Sequence, residues 1–155
     1  MPEQLNKQST KAGVARRTLT LVLRNPRRAL LILRMANWLV LFTILMRFLS
    51  MPRALQFVSA PLRHGVSKVD EKELASALDS LLTADVFVFR PSCWKRAAIL
   101  HRYLALEGIE SRINFGMRKD DDGEMRGHAW LERSGQAILE TTPPDYTVTY
   151  SFPSR

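Results

Sequence analysis

"PSCWKRAAILHRYLALEGIESRINFGMRK", residues 91–119, holds the only cysteine of the chain and changes its hydrophobic period halfway along. In the first half, Trp94, Ala97, Ala98, Leu104 and Ala105 recur at helical spacing, and Gly108 ends the run as a left-handed cap before Ile109. In the second half Ile113, Phe115 and Met117 alternate with Arg112, Asn114 and Arg118, which predicts a strand. Ser92 is a good helix N-cap, so Cys93 takes the first helical position. A thiol there sits beside unpaired backbone N–H groups and the positive end of the helix dipole, and both favour the thiolate. Lys95 and Arg96 in the first turn act in the same direction. A single cysteine is more often inert core filling, so a nucleophile also needs a base and an acceptor that orients the base.

The following residues supply both. "DDDGE" (120–124) is a polar turn at a solvated hairpin tip and lacks the twelve-residue spacing of a calcium loop. "GHAWLERSGQAILE" (127–140) is a second hairpin. With Arg133-Ser134-Gly135 as a three-residue loop and Gly135 left-handed, Glu132 faces Gln136, Trp130 faces Ile138 and His128 faces Glu140. Opposed residues point to the same side with Cβ atoms roughly 5 Å apart, so Glu140 would accept a hydrogen bond from the imidazole. A two-residue loop would instead put His128 opposite Thr141. The expected catalytic residues are therefore Cys93 as nucleophile, His128 as base and Glu140 as orienting acid. His101, about two turns beyond Cys93, is assigned to packing.

The 155 residues are 46% hydrophobic and 25% charged, enough to bury a core. One cysteine excludes an internal disulfide and a multi-thiolate zinc site, and it fits a reducing compartment such as the bacterial cytoplasm. His64, His101 and His128 show no paired ligand spacing, so neither a metal nor another cofactor is expected. The net charge of +8 is uneven: residues 1–64 carry eleven Lys/Arg and one acid (Glu3), residues 65–155 twelve Lys/Arg and fourteen acids. The basic character therefore belongs to the front of the chain, which sets it apart from the rest as a functional part.

Residues 1–15 are expected to be a flexible tail, 16–69 a basic and apolar helical extension, and 70–155 the catalytic domain. Bases alternate with leucines from Arg16 to Arg28, and Pro26 fits the first turn of a new helix. "ALLILRMANWLVLFTILMRFL" (29–49) is apolar, but Arg34, Asn37 and Arg47 interrupt it, and its longest uncharged piece, Met35 to Met46, is short for a membrane span. No small-residue pattern for signal cleavage follows. The favoured expectation is a helix packed on the catalytic part or on a protein partner. The alternative is a helix lying in an anionic membrane surface, through residues 16–50. Residues 52–69 are expected to be irregular, with Pro52, Pro61 and Gly65 as breakers. A helix follows from near Asp70, with Asp70 and Glu73 as a capping box and Leu74, Ala77, Leu78 and Leu81 on its apolar face. "DVFVFRP" (85–91) is expected to be extended.

A cysteine helix followed by a His–acid hairpin is the order of papain-like transglutaminase folds. The run from Ser92 to Glu140 resembles the transglutaminase-like leader peptidase of lasso-peptide biosynthesis, the C-terminal half of the microcin-processing B protein, which is often a separate chain. The resemblance covers about residues 70–152 and rests on serine-cysteine opening a helix, "GI…INFGMRK" leading into a strand, and "GHAW" followed by an acid. It implies an α+β fold: a papain/transglutaminase-like core, with the cysteine at a helix N-terminus packed on an antiparallel sheet, preceded by N-terminal helices. The family's cysteine, histidine and acid map onto Cys93, His128 and Glu140; Trp94 stands where an aliphatic residue is commoner and Glu140 where aspartate is usual, which makes Asp145 the reserve candidate for the acid. The implied activity is cysteine-dependent removal of a leader from a ribosomally made precursor peptide. The implied partners are that precursor, a small leader-recognition protein and an ATP-dependent macrocyclase, with no nucleic acid. Acyl or amide transfer by the same triad, and a non-catalytic peptide-binding partner at the membrane surface, are the alternatives.

Overall fold

A computed structural model describes residues 26–63, 70–83 and 92–153. The tail, the base–leucine alternation up to Asn25, His64 and the extended segment expected at 85–91 lie outside the described residues. Among the described residues four helices precede the sheet: α1 (Pro26–Phe48), α2 (Met51–Val58), α3 (Glu71–Leu82) and α4 (Cys93–Leu106). Pro26 opens α1, where its missing N–H leaves no bond unmade. The irregular segment expected at 52–69 is instead helical as far as Val58. Pro52 lies in the first turn of α2, where proline is tolerated, so it does not act as a breaker.

The apolar face expected for α3 is buried at Leu74, Ala77 and Leu78 and half-buried at Leu81. Asp70 occupies its N-cap position, but the side chain makes no cap bond; the Glu73 N–H donates to the Asp70 backbone oxygen instead. The C-terminus of α4 follows the expected left-handed closure. Gly108 has φ 77°, its N–H donates to Ala105 O, and the Ile109 N–H donates to Leu104 O.

One hydrophobic cluster joins these helices to the sheet. Met35, Leu39 and Phe42 of α1 are buried with Leu55 and Val58 of α2, Leu78 of α3, Ile99, Leu100 and Leu104 of α4, and Ile113 and Leu131 of the strands. Each such Leu or Phe contributes about 2 kcal/mol by leaving water. The cluster takes in residues on both sides of position 70. Helix α1 is thus packed on the cysteine helix, with the Phe42 ring edge-on to Trp94 at 5.5 Å and Arg102 of α4 stacked 3.5 Å over Trp38. By length and composition α1 is also apolar enough to cross a membrane.

The sheet is antiparallel, in the order β3-β2-β1-β4, with β1 at Arg112–Lys119, β2 at Met125–Arg133, β3 at Gln136–Ile138 and β4 at Thr147–Phe152. Successive side chains point to opposite faces. Ile113, Ala129, Leu131 and Phe152 enter the helical core, and Asn114, Gly116, His128 and Trp130 share the other face. That face has its own polar network: Asn114 donates to Glu132 at 2.7 Å and accepts from Ser151 at 2.7 Å.

The β2–β3 hairpin departs from the expected register. Arg133 pairs with Gln136, Glu132 with Ala137 and Leu131 with Ile138, so the loop has two residues. Ser134 (φ 51°) joins Gly135 (φ 80°) in the left-handed region, which gives a turn whose twist matches that of the flanking strands. The three-residue loop overlooked the ability of Ser134 to adopt positive φ.

Candidate active site

Cys93 is the first residue of α4, as the Ser92-Cys93 pair suggests; it is partly buried and its thiol is free. Ser92 has the extended backbone of an N-cap (φ −150°, ψ 136°), yet its hydroxyl makes no capping bond and is buried without a hydrogen-bond partner among the described residues. The helix start still offers backbone N–H groups with no intrahelical acceptor, next to Cys93.

His128 lies on β2, directly across the ladder from Gly116. Its imidazole is nearly parallel to the Trp130 ring (14°, 6.0 Å between centroids) and 5.3 Å from the Tyr146 ring. Nε2 of His128 is 3.4 Å from Oε2 of Glu140. The two residues meet although the loop has two residues and the ladder stops at Ile138. Leu139 leaves the strand with φ 59°, and the altered chain direction brings Glu140, rather than Thr141, to the imidazole.

The second oxygen of Glu140 faces Arg96, with Nη1 to Oε1 at 3.5 Å. Arg96 also grips Asp79 of α3 with two bonds, Nε to Oδ1 at 2.8 Å and Nη2 to Oδ2 at 3.2 Å. The chain of contacts Asp79–Arg96–Glu140–His128 therefore passes through the cysteine helix at Arg96, one turn after Cys93. The structure brings His128 and Glu140 together and ties them to α4 through Arg96. Among the described residues no hydrogen bond joins Cys93 to His128.

Asp145 takes a different place. It is exposed and lies in the field of Arg118, which is itself held by hydrogen bonds to Asp120 and stacked 5.0 Å over the Tyr146 ring. Its hydrogen bond to Asp120, followed by the Coulombic pull of Asp120, Tyr146 and Asp145, raises the Arg118 pKa above the usual guanidinium value. Beside Tyr146 an open cleft of about 500 Å³ is lined by Met117, Met125, Asp145 and Thr149 among others. His101 is buried on α4, with Nδ1 3.0 Å from the Ser111 hydroxyl and its ring edge-on to Phe152. Burial lowers its pKa to about 4, against a smaller opposing effect from a backbone hydrogen bond at Ser111. Its surroundings are those of a packed neutral imidazole.

Four residues of this neighbourhood escape the sequence reading. Arg96 is noticed only as a positive charge in the first turn, and Asp79, its partner, carries no local signal. Tyr146 opens the closing "YTVTYSFP" (146–153), which says nothing of its place beside the His128 ring. Gly116 belongs to a recognisable motif, but its steric reason is tertiary: an added Cβ would stand 2.8 Å from Tyr146 Cβ and 2.9 Å from Trp130 Cζ3.

Neither a curated protein nor a solved structure matches the chain significantly. A family model, that of the transglutaminase-like superfamily, matches residues 36–151, from the middle of α1 through β4. With three quarters of the sequence matched, and with a helix opening on cysteine packed against an antiparallel sheet, this chain belongs to the transglutaminase-like superfamily, which includes cysteine peptidases and acyltransferases.

Proposed function

We propose that the chain is a cysteine peptidase that removes the leader from a lasso-type precursor peptide. One observation carries the cysteine-hydrolase part of this proposal. The imidazole of His128 has a carboxylate partner in Glu140, and Arg96 links that carboxylate to the helix that Cys93 opens. The lasso-type substrate rests on the sequence resemblance from Ser92 to Glu140.

In the reaction the Cys93 thiolate adds to the scissile carbonyl carbon. The backbone N–H of Cys93 at the helix start donates to the developing oxyanion. The carbon–nitrogen bond breaks as the His128 imidazolium gives its proton to the leaving amine, and a thioester remains. Water then attacks the thioester while His128 takes a proton from it. The carbon–sulfur bond breaks, releasing the leader as a carboxylate and restoring the thiolate. Glu140 orients the imidazole and stabilises its cationic form throughout. The open cleft beside Tyr146 suits an extended peptide, with methionine, threonine and aromatic side chains offering both apolar and hydrogen-bonding contacts. The freed amine is the group that an ATP-dependent macrocyclase would use, and a leader-recognition protein would deliver the precursor.

The test is product analysis by mass spectrometry, using the precursor and leader-recognition protein from neighbouring reading frames. Hydrolysis yields a leader carboxylate and a core peptide with a new amino terminus. A leader carrying an added amine in place of the carboxylate would identify an acyltransferase instead. An uncleaved precursor would reject the peptidase.

A further inference from the structure

Helix α1 has two apolar faces, and the core uses one of them. Met35, Leu39 and Phe42 are fully buried. On the opposite side Leu30, Leu33, Leu41, Ile44 and Phe48 recur every three or four residues and form a stripe along the length of the helix, interrupted by Asn37. This stripe is open among the described residues: Leu33 is 67% exposed and Phe48 81%. An apolar strip of this length on a globular domain marks an interaction surface.

The charges around it indicate what it meets. At 100° per residue, Arg27 and Arg34 border the stripe on one side and Arg47 on the other, and all three are exposed. Residues 26–63 contain six arginines and no acid. We propose that this face of α1 docks flat on an anionic lipid bilayer, with the five apolar side chains among the acyl chains and the three arginines at the headgroups.

Two other occupants fit less well. A second copy of the chain would set these arginines against each other with no carboxylate of α1 or α2 to pair with them. A helix crossing the bilayer would have to withdraw Met35, Leu39 and Phe42 from the core they share with the cysteine helix. Lying in the interface keeps the core intact and satisfies both faces. It would also hold the peptidase domain at the membrane, and it does not depend on the peptidase proposal, because docking needs no catalysis.

The experiment is co-sedimentation of the full chain with phosphatidylcholine vesicles, with and without phosphatidylglycerol. The wild-type chain should bind the anionic vesicles at least about tenfold more tightly than the neutral ones, and added salt should weaken the binding. Leu33→Gln/Ile44→Gln/Phe48→Gln should lower the affinity for anionic vesicles by roughly tenfold or more, while circular dichroism and thermal melting stay as in wild type. Should that variant fold poorly, Arg34→Glu/Arg47→Glu on the rim replaces it, with the same loss expected. The proposal is overturned by equal binding to neutral and anionic vesicles, or by undiminished binding of the substituted chain, which would assign the effect to residues outside this face. A dimer in light scattering that the glutamine variant converts to monomer would also overturn it, assigning the face to a second copy.

Discussion

Gly116 stands directly opposite His128 in the β1–β2 ladder, and its missing side chain makes room for Tyr146 and Trp130 to close around the imidazole. An added Cβ would lie 2.8 Å from Tyr146 Cβ and 3.0 Å from the Thr147 carbonyl oxygen. The Thr147 oxygen is backbone, so the methyl group cannot be accommodated by a rotamer change alone. Gly116→Ala should therefore destabilise the fold by about 1–3 kcal/mol through overpacking. It should also move Tyr146 off the His128 ring. Thermal melting reads the first effect and tryptophan fluorescence the second; an unchanged melting temperature would mean that the β1–β4 pairing yields at no cost.

Removal of the thiol tests the nucleophile. Cys93→Ala should abolish leader cleavage and leave the melting temperature within a degree or so, because Cys93 is only partly buried. Cleavage at a comparable rate by the alanine variant would eliminate the thioester mechanism.

The carboxylate of Glu140 faces His128 at 3.4 Å and Arg96 at 3.5 Å, so its loss affects both. Glu140→Gln should lower kcat by on the order of 10- to 1,000-fold while KM changes little. Glu140→Asp keeps the charge and should retain more activity. Asp145→Asn should have little effect, since Asp145 lies by Arg118 instead. A crippled Asp145→Asn enzyme beside a normal Glu140→Gln enzyme would transfer the role to Asp145.

Arg96 is expected to position Glu140. Its guanidinium binds Asp79 with two bonds and still reaches Glu140, a geometry that an ammonium group cannot reproduce. Arg96→Lys should lower kcat roughly tenfold, the scale of one charge-assisted hydrogen bond. Asp79→Asn should cost less, because that carboxylate is about half exposed (48%). Equal kcat in wild type and Arg96→Lys would restrict Arg96 to a structural role.

His101 sets an acid limit on stability. Burial lowers its pKa in the folded chain to about 4, from 6.5. The unfolded chain therefore takes up a proton that the folded chain refuses over this interval. The stabilising contribution is complete above pH 6.5 and is lost progressively as pH falls towards 4, by on the order of 3 kcal/mol in all. His101→Gln, which keeps a hydrogen-bonding partner for Ser111, should flatten the fall in melting temperature between neutral pH and pH 4. An identical acid limb in the variant would assign the loss to other groups.

Much of this fold follows from the order of residues alone, because the signals are local. Pro26 at the first turn of α1, Cys93 at the start of α4, Gly108 closing that helix and the alternation through Ile113 and Phe115 each depend on backbone preferences within a few residues. Such preferences act before any long-range contact forms. Steric and electrostatic relationships between distant segments have no such local signal. Ser134 and Leu139 both take positive φ, which their residue types do not announce. The hairpin register therefore differed from expectation, while Glu140 reached His128 by leaving the strand. Asp79 and Arg96 meet across two helices, and Gly116 accommodates a tyrosine thirty residues away in the chain. The lesson of α1 is similar: its composition made it an apolar helix, but only packing decided that Met35, Leu39 and Phe42 face the core while Leu33 and Phe48 remain outside. Burial depends on which neighbours arrive, and the tertiary structure alone supplies them.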